Sequence, residues 1–390
     1  MIIELLAPAG NLEKLKIAVS YGADAVYVAG QSFSLRQAAN NFSFAELSKA
    51  IDFVHRSKRK IYITVNAFPH DSEMGELTEY LKQLNRLRPD ALICSDLGVA
   101  KLVKQQTDLA LHISTQASVL NSHHASIWKD LGARRIVAAR ELTIAEAASM
   151  KEQTGLEIEM FVHGAMCMSY SGHCFMSTYV ASRDSNRGGC IQNCRYRYSE
   201  IDSDQEPCHL LSSKDLCGMP LLKDFVEAGI DAIKIEGRMK SNFYIASTVR
   251  SYANALSEIE ETGGFNPEYW QAELHKIPHR GYTQGSLKQE ANMESVYHQE
   301  LTLGKEHKMV GTVIEIDPGN GRLALHVKNK LIPGDQIEIM PFRGDIIPLC
   351  VQSLTDVDNQ ELAVAQPHKV IWIPWQEGIE VNNVARMQSQ

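Results

Sequence analysis

Half of the eight cysteines in this 390-residue chain, Cys167, Cys174, Cys190 and Cys194, fall within the stretch Glu159–Tyr198. They stand among glycines, hydroxyl residues and arginines, with no apolar period long enough for an amphipathic helix. A segment that concentrates thiols in irregular chain holds something together, either a metal centre or disulfides. The spacing is C-x6-C-x15-C-x3-C, and only Cys190 and Cys194 approach the paired knuckle of a structural zinc site. Four thiolates at mixed spacing suit an iron–sulfur cluster at least as well, so cluster, zinc and free thiols all stay open, the cluster foremost. Cys208 and Cys217 lie near enough to substitute as ligands, while Cys94 and Cys350, in apolar runs, read as small core residues.

Around the thiols, Arg183, Arg187, Arg195 and Arg197 face the single acid Asp184 and interleave with Tyr179, Tyr196 and Tyr198. Cations alternating with aromatics bind phosphates and stack bases, or grip a carboxylate bidentately. A solvated surface loop would carry the same residues, so their value depends on where the fold puts them.

Short apolar runs alternate with helical patterns from the start of the chain. Eight runs read as strands: Ile3–Ala7, Ala25–Ala29, Ile61–Asn66, Ala91–Ser95, Leu111–Thr115, Arg135–Ala139, Glu157–Val162 and Ala232–Glu236. Their continuous apolar character suits parallel strands buried on both faces. Asn11 is placed to cap a first helix, and Ser43-x-x-Glu46 and Thr143-x-x-Glu146 are capping boxes. Asp71–Arg88, Leu97–Gln106, Ser122–Leu131, Lys214–Ala228 and a stretch from Ser241 to about Thr262 supply further helices. Eight such units predict an α/β fold, a closed (β/α)8 TIM-like barrel, with an open doubly wound sheet as the alternative. The barrel spans 1–265 with the Cys-rich metal segment at 163–198, and 266–304 reads as a helical and irregular bridge. From Val310 the period changes to two, and Val310–Asp317, Arg322–Lys328, Gln336–Met340, Ile347–Leu354, Leu362–Ala365 and Val370–Trp372 predict a small all-β, β-barrel-like domain over 305–390.

Active sites of such barrels lie at the C-terminal ends of the strands. The polar residues there include Asn66, His70, Gln116, Arg140, His163, Glu236 and Arg238. Asn66 and His70 flank the stiff turn Ala67-Phe68-Pro69. Lys234 and Glu236 alternate with isoleucines, so both charges point into the lumen, where an unpaired charge is costly. A Lys234–Glu236 pair, or an anion held by Lys234 and Arg238, would relieve that cost.

With 39 basic and 47 acidic residues the net charge is −8, which offers no global attraction to nucleic acid, so any polyanion site must be local. The apolar N-terminus is short and interrupted by Glu4, and no run of about 18 apolar residues is present to span a membrane. A cytoplasmic protein with reduced thiols is the expectation, which favours metal over disulfides.

The run Phe161–Cys167 followed by Ser171-Gly172-His173-Cys174 resembles the signature of the collagenase-like peptidase family of unclassified catalytic type. The resemblance extends along nearly the whole chain, through LLAPAG at Leu5–Gly10, ADAVYVAG at Ala23–Gly30, VNAFPH at Val65–His70, KIEGRMKS at Lys234–Ser241 and HRGYTQG at His279–Gly285. Within that family RDSNRGGCIQNCRYRY, LSSKDL and VKNKLIPGDQIEIM are similar to the branch that hydroxylates tRNA. The resemblance implies oxygen-independent 5-hydroxylation of the wobble uridine, prephenate as hydroxyl source, and an iron–sulfur cluster, 4Fe-4S in type, on Cys167, Cys174, Cys190 and Cys194. The resemblance also implies that Glu200–Leu210 is compact where some relatives carry a long insertion. On this reading Arg36, Arg140 and Arg238 recognise the carboxylates of prephenate, with Asn66, Gln116 and Lys234 beside them. His70, His163 and Glu236 are the candidates for proton transfer. Arg183, Arg187, Arg195, Arg197 and the β-domain would cradle the tRNA anticodon arm. A peptidase is the alternative. The chain has neither H-E-x-x-H nor G-x-S-x-G, and a Cys167 nucleophile with His163 as base would leave three cysteines unexplained.

Overall fold

The computed structural model describes residues 3–35, 41–199, 206–297 and 303–389. Strands β1 (Glu4–Pro8), β2 (Ala25–Ala29), β3 (Lys60–Thr64), β4 (Ala91–Cys94), β5 (Ala110–Ile113), β6 (Ala133–Val137) and β7 (Glu157–Ala165) pair in sequence order, all parallel. After a short β8 (Asp215–Cys217) comes β9 (Ala232–Ile235), which pairs with both β7 and β1. That double pairing closes the barrel and rules out the open sheet: all eight expected strands are present. The expected helix over Lys214–Ala228 is corrected in its first half. Asp215–Cys217 instead pairs antiparallel with the extended end of β7, and Pro220 opens the turn that leads into helix. A two-residue strand, β10 (Tyr282–Thr283), adds to β8, so the bridge segment contributes to the same sheet.

The helices follow from their caps and faces. Asn11 accepts from the Lys14 amide at 2.9 Å to start α1 (Leu12–Ser20). The Ser43/Glu46 box starts α2 (Phe44–Arg56), α3 is Met74–Leu87, and Asp96 caps α4 (Leu97–Gln106). Helix α5 is Ser122–Asp130, and the Thr143/Glu146 box starts α6 (Ile144–Thr154). Leu77, Leu81 and Leu84 on α3 show the spacing that presses one face onto the barrel. The short α7 (Met176–Ala181) and α8 (Leu222–Glu227) precede the long α9 (Asn242–Thr262), with α10 (Pro267–His275) and α11 (Met293–Val296) beyond. No helix among the described residues is long and apolar enough to cross a membrane.

The lower lumen holds ions where aliphatic layers would be usual. Arg135 lies 2.6 Å from Glu4 and 3.2 Å from Glu159, and Lys234 lies 2.8 Å from Glu159. The Tyr62 hydroxyl donates to Glu4 at 2.9 Å. The expected Lys234–Glu236 pair is therefore corrected: the partner of Lys234 is Glu159 on the neighbouring strand β7. Closure of β9 onto β7 puts that carboxylate within reach.

The C-terminal sheet is antiparallel, in the order Ile347–Cys350, Gln336–Met340, Val384–Gln388, His307–Asp317, Arg322–Val327, Val370–Pro374. Val384–Gln388, not expected from sequence, is a central strand, whereas Leu362–Ala365 contributes one isolated bridge, from Ala365 to Leu331. Cys350 is exposed, a correction: on the edge strand Ile347–Cys350 the alternation turns Leu349 inward and Cys350 out. The sheet packs along α1 and α9. The Tyr21 hydroxyl donates to the Met340 carbonyl and accepts from the Val384 amide, both at 2.8 Å. Lys328 comes within 3.9 Å of Glu13 at the start of α1, on the mouth side of the barrel.

Candidate active site

A cavity of about 130 Å³ opens at the C-terminal ends of the strands. Its polar lining comes from Asn66 after β3, Gln116 after β5, Arg140 after β6, and Lys234, Glu236 and Arg238 at the end of β9. The sequence folds this way because two glycines let the loops close. A Cβ on Gly10 would lie 2.3 Å from the Arg238 carbonyl, and one on Gly164 would lie 2.4 Å from that of Glu236. Gly164 also has φ +109°, which side chains avoid.

Hydrogen bonds hold most of this lining in place. The Asn66 amide donates to Gln116 Oε1 at 3.0 Å, and the Ser95 hydroxyl donates to the Asn66 carbonyl at 3.0 Å. Asn66 Oδ1 is buried without a hydrogen bond. Arg238 donates to Thr64 Oγ1 at 3.3 Å. Arg140 stacks 4.4 Å from the centre of the Phe161 ring, and its Nε is buried without a partner. Glu236 accepts from the Tyr27 hydroxyl at 3.1 Å. Burial first, and the nearby Glu236 carboxylate second, hold the Tyr27 phenol well above its usual range, so it stays a proton donor. Three cations (Arg140, Lys234, Arg238) face Glu236 and the Glu159 beneath, leaving one net positive charge. The cavity is built to take an anion.

The four thiols complete the wall. Cys167, Cys174, Cys190 and Cys194 all line this cavity, and none is in a disulfide. Short turns carry them, pinned by polar side chains: Asn186 accepts from the Cys174 amide at 3.3 Å and donates back to its carbonyl at 3.2 Å. Burial raises the Cys194 thiol, Arg195 pulls it down, and the charges of the other three thiols push it up, so all three lie within electrostatic reach of Cys194. Among the described residues no three His, Cys, Asp or Glu side chains converge tightly enough for a single ion. A polynuclear centre gives each thiolate its own iron and so spreads the ligands, and four thiols without a carboxylate among them fit it. Cys217 does not join them: it is buried on β8 beside Tyr252, its thiol pushed up to about 11 by burial.

The remaining candidates divide. His163 follows a register shift on β7, and this irregularity turns its ring out of the lumen toward Tyr244, Tyr252 and Tyr282. Its ring is buried, with Nδ1 3.3 Å from the Tyr252 hydroxyl, and it does not line the cavity. Burial first, then the charge of Lys240, lowers its pKa from 6.5 to about 3. The unfolded chain therefore binds this proton more readily. The stability His163 contributes is intact above about pH 6.5 and drains by about 1.4 kcal/mol per unit as pH falls toward 3. Urea unfolding between pH 7 and 4.5 should show a shallower loss for His163→Gln than for the parent, and equal slopes would refute this.

His70 is exposed outside the cavity, its amide donating to Glu73 at 2.7 Å. Arg36 lies outside the described residues. Two of the four arginines point inward: Arg187 bonds the Phe68 carbonyl and pairs with Glu73 at 2.8 Å, and Arg195 donates to the Met166 carbonyl at 2.6 Å. Arg183 and Arg197 are exposed, beside the outward aromatics Phe175 (76%), Tyr179 (93%) and Tyr196 (48%). Sequence reasoning missed Tyr27 and Glu159, although both sit at inward positions of their strands. It also missed Arg280, which donates to the Ser213 carbonyl at 3.0 Å, pairs with Asp215 and lies near the charge of Cys194. A further cavity of about 230 Å³, lined by Tyr21, Asp24, Arg59 and Phe342, lies at the opposite end of the barrel and contains no thiol.

The sequence profile of peptidase family U32 matches residues 10–297, and that of the family's C-terminal domain matches 305–386. The chain is 34% identical to tRNA hydroxylation protein P1 of Bacillus subtilis over 397 residues, covering 98% of this chain and 94% of the relative. It is 39% identical to tRNA hydroxylation protein P of Helicobacter pylori over 302 residues, 73% of this chain and 71% of the relative. A collagenase of Porphyromonas gingivalis is 29% identical over 303 residues, 72% of each chain.

Proposed function

The chain belongs to peptidase family U32, and from that footing we propose that it is an RNA-modifying enzyme that hydroxylates the wobble uridine of tRNA at C5, with prephenate as hydroxyl source. The observation that carries this reading is one cation-lined cavity with four thiols on its wall, borne on a segment that also exposes arginines and aromatics.

Arg238 and Arg140 take the carboxylates of the small acid, and the Asn66–Gln116 pair fixes its polar edge. Cys167, Cys174, Cys190 and Cys194 hold an iron–sulfur centre, which when bound supplies a redox-active, Lewis-acidic site at the cavity wall. Glu236, kept hydrogen-bonded by Tyr27, is the group placed to hold or move a proton there. Outside, Phe175, Tyr179 and Tyr196 offer faces for unpaired bases while Arg183 and Arg197 meet phosphate. Lys328, on the mouth side of the C-terminal sheet, extends the cationic surface.

The peptidase reading needs a thiol activated by a base. Cys167 Sγ lies 2.9 Å from the Ser169 hydroxyl, and His163 is buried on the far side of β7. No Cys–His pair forms among the described residues.

The test is nucleoside mass spectrometry of tRNA from cells lacking the protein. Hydroxyuridine-derived nucleosides should disappear, and purified protein with prephenate and that tRNA should restore them. An unchanged nucleoside profile would overturn the reading.

A further inference from the structure

We infer that a second cavity, beside the thiols and distinct from the acid-binding one, receives the target pyrimidine itself, extruded from its RNA strand; this rests on the RNA-modifying reading above. The cavity measures about 350 Å³ and opens on the same face. Met166, Met168, Leu211 and Val296 give it apolar walls, and Tyr170 and Tyr297 add two aromatic rings. A base within a folded RNA must leave the stack before an enzyme can reach its ring carbons, and pockets that accept one combine apolar or aromatic faces with a few hydrogen-bonding groups for the Watson–Crick edge. Ser212 and Ser286 supply such groups. They line the cavity and are buried to 3% and 8% exposure. A hydroxyl both donates and accepts, which matches the alternating carbonyls and N–H of a uracil edge.

The neighbouring cavity is unsuited to the base. It is floored by charges that a neutral ring would desolvate without compensation. Cys167 and Arg140 line both spaces. A base in one and a carboxylic acid in the other therefore meet across the same thiol and the same guanidinium. The Arg140 Nε, buried without a partner, sits at that junction. Holding the base by its Watson–Crick edge leaves the C5 edge free to face the shared wall. The exposed Phe175 and Tyr179 then lie outside, where nucleotides flanking the extruded one can stack.

The test uses the full-length protein and an anticodon stem–loop carrying a fluorescent pyrimidine analogue, placed in turn at each pyrimidine of the loop. One position should brighten on binding as its base unstacks. Ser286→Leu, which fills the cavity, should abolish that brightening and weaken RNA binding by roughly 5- to 150-fold, the range of one lost stacked base. Tyr297→Ala should diminish the brightening, and Asn66→Ala, in the acid cavity, should leave it intact. A folded Ser286→Leu that brightens like the parent, or an Asn66→Ala that does not brighten, overturns the inference. If Ser286→Leu fails to fold, full brightening by Tyr297→Ala overturns it instead. Failure of the parent protein to bind the stem–loop at all overturns the RNA-modifying reading itself.

Discussion

Replacing Cys194 by alanine is expected to remove both the visible absorbance and the bound iron of anaerobically reconstituted protein, and to take tRNA hydroxylation to background. Cys194 lines the cavity with the other three thiols and lies within reach of their charges, with Arg195 and Arg280 nearby. Losing an outer-sphere partner of a metal site costs roughly 10- to 100-fold in affinity or activity, and losing a ligand must exceed that. Cys208 provides the internal control. It is exposed, opposite Tyr198 and outside the cavity, so Cys208→Ala should retain iron and activity. Iron quantification and nucleoside mass spectrometry read the two effects separately. A colourful, active Cys194→Ala protein would remove the cluster from this site.

The second large effect is on stability. Glu159→Leu should destabilise the fold by about 3–5 kcal/mol, the range for breaking a buried ion pair from one side. Glu159 is fully buried between Arg135 at 3.2 Å and Lys234 at 2.8 Å, and leucine would leave both cations facing each other in the lumen. Lys234→Leu alone should cost less, because Glu159 keeps Arg135. The double variant Glu159→Leu/Lys234→Leu should recover part of the loss, since Arg135 then still has Glu4 at 2.6 Å. Urea unfolding at pH 7 measures all three. A Glu159→Leu protein within about 1 kcal/mol of the parent would mean that water, not Glu159, solvates the cations.

Eight apolar β-branched runs, three helix caps and the cluster of thiols were legible from local pattern because each depends on neighbours a few residues away. Burial on both faces writes itself as a continuous apolar run, and a capping box is complete within four positions. The strand Val384–Gln388 escaped because its alternation is interrupted by Arg386, which the fold buries against Glu273 at 2.8 Å. Asp215–Cys217 escaped because three residues cannot display a period, and only the overhanging end of β7 makes them a strand.

The residue types alone established a repeating β/α scaffold that carries four clustered thiols and polar residues after its strands. Tertiary structure alone settled which groups face that mouth. Arg187 and Arg195 became internal struts while Arg183 and Arg197 stayed outside, and the register shift on β7 sent His163 away from the cavity that Phe161 still lines. Lys234 found Glu159 across a closing strand pair, not Glu236 two residues away. The physical reason is common to all three. Periodicity records whether a side chain is buried, but its partner is set by barrel closure and register, which join residues far apart in the chain.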